Sequence, residues 1–135
     1  MPNHYHFLLV QESDIPVSKF INVLFNTYTQ SINRWHNRKG TLFEGRFKHI
    51  LVDDDTYLMQ LCRYIHLNPV KAGLVQSPGN WPYSDYLKWV DVSQGQYQQT
   101  DWIMEFSSGE EYRQFVVEGQ EKMLMDKKLE RYCLD

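Results

Sequence analysis

Three groups of residues in this chain carry side chains able to do chemistry. The first is His4-Tyr5-His6. Side chains in a strand alternate with period two, so His4 and His6 would share a face, about 7 Å apart along the chain. Two imidazoles on one face can converge on a single metal ion. Two partly exposed histidines near a terminus are the plainer alternative. The second group is Arg63-Tyr64-Ile65-His66-Leu67-Asn68-Pro69. Tyr64 and Asn68 stand at i and i+4, neighbours on one helix face. A phenol can serve as a nucleophile, and an amide oxygen beside it can help hold a metal. Ionising a tyrosine at pH 7 costs roughly 4 kcal/mol from its reference pKa of ~10, so a base, a metal or a cation such as Arg63 has to lower that cost. A half-buried structural tyrosine is the alternative, since the chain has nine tyrosines to place. His66 is equally open to either reading and lies well away from Tyr64 on the helical wheel.

The third group is basic and aromatic. Arg34, Arg38, Lys39, Arg46 and Lys48 stand against Glu44 alone, flanked by His36 and His49 and interleaved with Tyr28, Trp35, Phe43 and Phe47. Cations that neutralise phosphates, beside rings on which bases stack, form the footprint of a single-strand nucleic-acid binder. A solvated basic loop between two elements is the alternative. Gly45 permits close backbone approach, with Arg46 and Lys48 expected on one strand face. Arginine suits bidentate contact with phosphate.

The elements that must position these groups follow from periodicity. Residues 5–10, YHFLLV, predict a strand. Glu12, Ser13 and Asp14 predict a turn, and Pro16 suits the first turn of a helix. From Val17 to about Asn37, Phe20, Ile21, Leu24, Tyr28, Ile32 and Trp35 fall three and four apart, predicting a helix with one buried stripe. Residues 41–52 read as a loop leading into a strand, with Phe47, Ile50, Leu51 and Val52 its best candidates. Asp53-Asp54-Asp55 supplies capping oxygens for a second helix carrying Tyr57, Leu58, Leu61, Cys62 and Ile65. Asn68-Pro69 is expected to interrupt that helix, with one more short turn before Gly73. Residues 91–101 read as a linker, and 108–131 as a helix with Tyr112, Phe115, Val116, Met123 and Leu124 on or near one face.

Composition excludes several classes. With 135 residues, 42% apolar and 23% charged, the chain has the length and balance of one globular domain. No apolar run is long enough to span a bilayer, and no secretory signal is expected. Two cysteines, Cys62 and Cys133, make neither a disulfide framework nor a metal spacing, which favours a reducing cytoplasm. The net charge of −3 hides an asymmetry. Residues 1–90 hold nine Lys and Arg against seven Asp and Glu, whereas residues 91–135 hold five against ten.

In order and phrasing, Met1-Pro2-Asn3-His4-Tyr5-His6-Phe7-Leu8-Leu9, the long helix, Gly45-Arg46-Phe47-Lys48 and Tyr64-Ile65-His66-Leu67-Asn68-Pro69-Val70-Lys71-Ala72-Gly73-Leu74 resemble the single-tyrosine HUH transposases. More narrowly they resemble the REP-associated tyrosine transposases and their domesticated relatives, over residues 1 to about 90. The resemblance implies an α+β fold: an antiparallel sheet with helices packed on it (an HUH or ferredoxin-like core), plus a C-terminal helical tail. Residues 1–90 would be the catalytic domain, and 91–135 an acidic linker and C-terminal helix. Family members usually carry several dozen residues before the HUH motif, so part of the sheet is expected to be missing here unless another subunit replaces it. The resemblance further implies a nuclease and strand-joining enzyme for single-stranded or hairpin DNA, often a homodimer, with no membrane partner. His4 and His6 would bind a divalent ion, Mg²⁺ or Mn²⁺, with Asn68 completing the site. Tyr64 would attack the scissile phosphate and become linked to the 5′ end. Arg34, Arg38, Lys39, Arg46 and Lys48 are the candidates for DNA contact. A non-catalytic DNA-binding remnant of such an enzyme is the alternative.

Overall fold

The computed structural model describes residues 1–90, 106 and 108–123, the last three by their backbone. The chain divides into two compact units, Phe7–His49 and Met1–His6 with Ile50–Asp135. The expected linker 91–101, Leu124, the predicted helix beyond Met123, and Cys133 lie outside the described residues.

The expected antiparallel sheet is overturned: among the described residues there is no strand. Residues 4–12 and 46–54 carry the apolar content of strands but no regular structure. The apolar pattern of a strand specifies a face, whereas the strand itself exists only through a ladder with a neighbour. No such ladder forms among the described residues. Tyr5, Phe7, Leu9 and Val10 accordingly stay between 41% and 55% exposed, and Leu51 is 81% exposed. His4, His6 and Leu8 are half-buried, so the period-two alternation survives without a sheet.

In the unit Phe7–His49, α1 runs Val17–Trp35. The phenyl ring of Phe25 sits 5.9 Å from that of Phe7 and 4.7 Å from that of Phe43, and Tyr28 lies 6.3 Å from Phe43. These rings cover only part of the helix. Ile21 is buried, but Phe20, Leu24, Tyr28 and Trp35 remain exposed, so the predicted stripe is apolar without being a buried face. Helical spacing aligns such residues, but burying them requires an opposing layer. The chain leaves α1 through Asn37 at φ 47° and Gly40 at φ 99°. The Asn33 amide donates to the Gly40 carbonyl at 2.8 Å, folding this loop back on the helix.

In the other unit, α2 spans Asp55–Lys71, a 3₁₀ turn spans Pro78–Asn80, and α3 and α4 span Tyr86–Val90 and Gly109–Met123. Asp54 caps α2 by accepting from the Tyr57 N–H at 2.6 Å. The core gathers Met59, Tyr64 and Leu67 of α2, Tyr86 and Val90 of α3, and Tyr112 and Val116 of α4. Cys62 is buried too, and burial, reinforced by the charge of Asp85, pushes its thiol up to about 12. It therefore fills space as a neutral thiol. Among the described residues no helix is long and apolar enough to cross a membrane.

Asn68-Pro69 does not interrupt α2; the helix continues through Pro69 to Lys71. Proline removes one N–H from the ladder, and the following turn is closed strongly enough to offset it. The Ala72, Gly73 and Leu74 N–H groups donate to Asn68, Val70 and Pro69 at 2.9, 2.9 and 3.0 Å. The last two form a Schellman closure with Gly73 at φ 69°.

A polar chain runs from α2, buried at His66 and open to solvent at Asp85. His66 is 2% exposed. Its Nδ1 pairs with the Tyr112 hydroxyl at 2.7 Å and its Nε2 with Asp85 Oδ1 at 3.0 Å. Trp89 Nε1–H donates to Asp85 Oδ2 at 2.9 Å. Burial pushes the Asp85 carboxyl up, but the hydrogen bonds from His66 and Trp89 and the charge of His66 outweigh it, holding Asp85 at about 2. Burial pushes the Tyr112 phenol well above its ordinary value. Arg63 of α2 lies over the Phe115 ring of α4 at 4.5 Å, against Gly119, where any side chain would displace it.

Two outcomes are expected. At Gly73 a new Cβ meets no heavy atom, so the cost of Gly73→Ala is conformational, about 1 kcal/mol; a urea midpoint shift measures it. The Asp85 contribution to stability is present above the unfolded carboxyl pKa of ~3.9 and is lost as pH falls through about 2. Asp85→Asn should flatten the acid limb of a pH–stability curve between those values.

Candidate active site

All four residues expected to do the chemistry fall in one unit, Met1–His6 with Ile50–Asp135. His4 and His6 come from the N-terminal segment, and Tyr64 and Asn68 from successive turns of α2. The Asn68 amide donates to His6 Nε2 at 2.9 Å. The His6 ring stands edge-on to the Tyr64 ring at 6.0 Å and to the His4 ring at 4.9 Å. The i, i+4 spacing brings the tyrosine and the amide to the same imidazole without help from a strand.

The hydrogen bonds select ring tautomers. Accepting from Asn68 puts a lone pair on Nε2 of His6. His4 pairs through Nδ1 with Asn3 Oδ1 at 2.8 Å. An amide oxygen can only accept, so Nδ1 carries the proton and the neutral ring has its lone pair on Nε2. Two imidazole Nε2 lone pairs and an amide that presents its oxygen after a half-turn form a donor set suited to a divalent ion. Among the described residues no group of three or more His, Cys, Asp or Glu could hold a metal.

Burial differs sharply within the site. Tyr64 is 4% and Asn68 6% exposed, whereas His4 and His6 are half-buried. Tyr64 is also a member of the α2–α3–α4 core. The cation expected to assist it, Arg63, points elsewhere. Its guanidinium donates to Gln60 Oε1 and, at 3.4 Å, to the Phe115 carbonyl. Lys71 takes that place, with Nζ 5.9 Å from the centre of the Tyr64 ring. Sequence reasoning missed Lys71 because the helix was expected to break at Asn68-Pro69. An unbroken helix sets i, i+4 and i+7 on one face. Asn3 was missed as well, although its adjacency to His4 was visible.

The five basic candidates lie in the unit Phe7–His49, separate from this cluster in the division of the chain. Arg34, Arg38, Lys39, Arg46 and Lys48 are all exposed. Arg38 uses one guanidinium nitrogen to donate to the Thr41 carbonyl at 3.2 Å. Arg46 and Lys48 do not share a strand face, because no strand forms there. Gly45, at φ 79°, is needed for its backbone conformation; a Cβ there would meet open space. Trp35 beside them is 80% exposed, and Phe47 and Tyr28 are 42% and 43% exposed.

A family model described as "Transposase IS200 like" matches residues 1–68. Over 96 residues the chain is 31% identical to a Haemophilus influenzae protein that carries the provisional name REP-associated tyrosine transposase. That similarity covers 64% of this chain and 54% of the relative, so the chain spans about half the length of the protein it matches. No solved structure matches at a significant level. The matched residues of the family model begin at Met1 and end at Asn68, enclosing both histidines, the tyrosine and the amide that bonds His6. The chain belongs to the IS200-like transposase family.

Proposed function

We propose that this chain is the nuclease and strand-joining part of a DNA transposase, acting on single-stranded or hairpin DNA through a 5′-phosphotyrosine at Tyr64. The observation that carries the reading is the hydrogen bond from Asn68 to His6 Nε2, with the Tyr64 ring against the same imidazole. The contact brings the Tyr64 ring and the Asn68 amide to one imidazole, with the His4 ring beside it; an ion taken up on His6 Nε2 would replace the hydrogen bond.

In the proposed step, Tyr64 Oη attacks phosphorus as its proton passes to water. The Oη–P bond forms and the P–O3′ bond breaks. Its electron pair leaves on O3′, which takes a proton from water. Reversal onto another strand's 3′ hydroxyl restores the phosphodiester without ATP, because the phosphotyrosine keeps the bond's energy. His4, His6 and Asn68 would hold a divalent ion, which would withdraw charge from the phosphate oxygens and orient the phosphate. Imidazole donors favour Mn²⁺ over the oxygen-seeking Mg²⁺. The exposed cations and rings of residues 34–48 suit a flexible strand whose bases are free to stack.

One observation favours a second reading. A tyrosine only 4% exposed is also what a non-catalytic DNA-binding remnant would keep as a core residue. Labelled hairpin-bearing single-stranded DNA with Mn²⁺ separates the two. A covalent protein–DNA band on a denaturing gel, absent in Tyr64→Phe while binding persists, is expected. Binding by the unmodified protein with no such band supports the remnant. Independently of turnover, Mn²⁺ at a hundred times its Kd should raise stability by about 2.7 kcal/mol. His6→Ala should abolish that gain in thermal melting; an equal gain in the variant removes His6 from the ligand set.

A further inference from the structure

We propose that Lys71 is a phosphate-contacting residue of this site, its ammonium holding a non-bridging oxygen of the phosphate that Tyr64 attacks. The inference rests on the reading of Tyr64 as nucleophile and adds a substrate contact to it. Three observations lead to it. First, α2 passes through Pro69 unbroken, so Tyr64, Asn68 and Lys71 stand at i, i+4 and i+7 on one face. Second, Lys71 Nζ lies 5.9 Å from the Tyr64 ring centre, while Arg63 is turned onto α4. Third, among the described residues no carboxylate lies in ion-pair range of Lys71.

The chemistry would draw on such a group. A phosphodiester drawn against side chains 4% and 6% exposed sheds much of its water. It must then find compensating charge in the protein. The proposed divalent ion would supply part of it, and the side chains of His6 and Asn68 add lone pairs and an amide dipole. Lysine supplies a compact, mobile charge with three donors, aimed where negative charge accumulates as the new bond forms. Lys71 is exposed and belongs to the last turn of α2. Interaction with the helix dipole alone would also suit that place, and the test separates the two roles.

A short fluorescent oligothymidylate is titrated against the wild-type chain, Lys71→Met and Lys71→Arg over a NaCl series in EDTA. One lost phosphate contact lowers the slope of log affinity against log salt by about 0.7 on a single strand. That decrease is expected in Lys71→Met and its restoration in Lys71→Arg. An unchanged slope in Lys71→Met overturns the proposal, including when melting temperature falls, the signature of a dipole role. With hairpin DNA and Mn²⁺, adduct formation at saturating protein should be at least tenfold slower in Lys71→Met; an equal rate overturns contact at the attacked phosphate. A wild-type chain that forms no adduct counts against Tyr64 as nucleophile, while the salt slopes still decide whether Lys71 meets phosphate.

Discussion

The Asn68–His6 hydrogen bond is the constraint on which the arrangement depends. It ties a segment without regular structure to a buried stretch of α2. Among the described residues the N-terminal segment joins no ladder, and this side-chain contact ties it to α2. An amide bonded to an imidazole is worth about 1 kcal/mol net, but leaving the buried Asn68 amide unsatisfied costs more. That asymmetry gives the contact its directional force. It orients the His6 ring, and through the ring contacts it also limits where His4 and Tyr64 stand.

The helix can act as a rigid platform because of what lies on its other sides. His66 spans between Tyr112 and Asp85, joining α2 to α4 and to the residue that precedes α3. Arg63 reaches α4 at Phe115 and Gly119. Both residues lie within five positions of Asn68, so the rotation of α2 about its axis is set by polar contacts as well as by the apolar core. A single-residue change in helical phase would turn Tyr64 and Asn68 away from His6 together.

Much of this site was legible in the sequence. The i, i+4 relation of Tyr64 and Asn68, and the cap of α2 at Asp54, are local geometry that the order of residues dictates. Two expectations failed for opposite reasons. The strands at residues 5–10 and 47–52 were read from side-chain alternation, but a strand requires a partner that a local pattern cannot name. The break at Asn68-Pro69 was read from a local penalty that the closure at Gly73 offsets a few residues later. The stripe on α1 shows the first limit again: Phe20, Leu24 and Tyr28 align as expected and remain exposed. The His66 chain was invisible because Asp85 and Tyr112 lie far from it in sequence.

The composition of the donor set has a thermodynamic consequence. His4, His6 and Asn68 bear no negative charge, and among the described residues they are not joined by an acidic cluster. A dication held by such neutral ligands on the proposed reading would keep nearly its full charge, and the nucleic acid would be its counter-ion. Occupancy by ion and by strand would then be reciprocally linked, each tightening the other by the same factor. On that reading the protein would stay weakly loaded until its polyanion arrives.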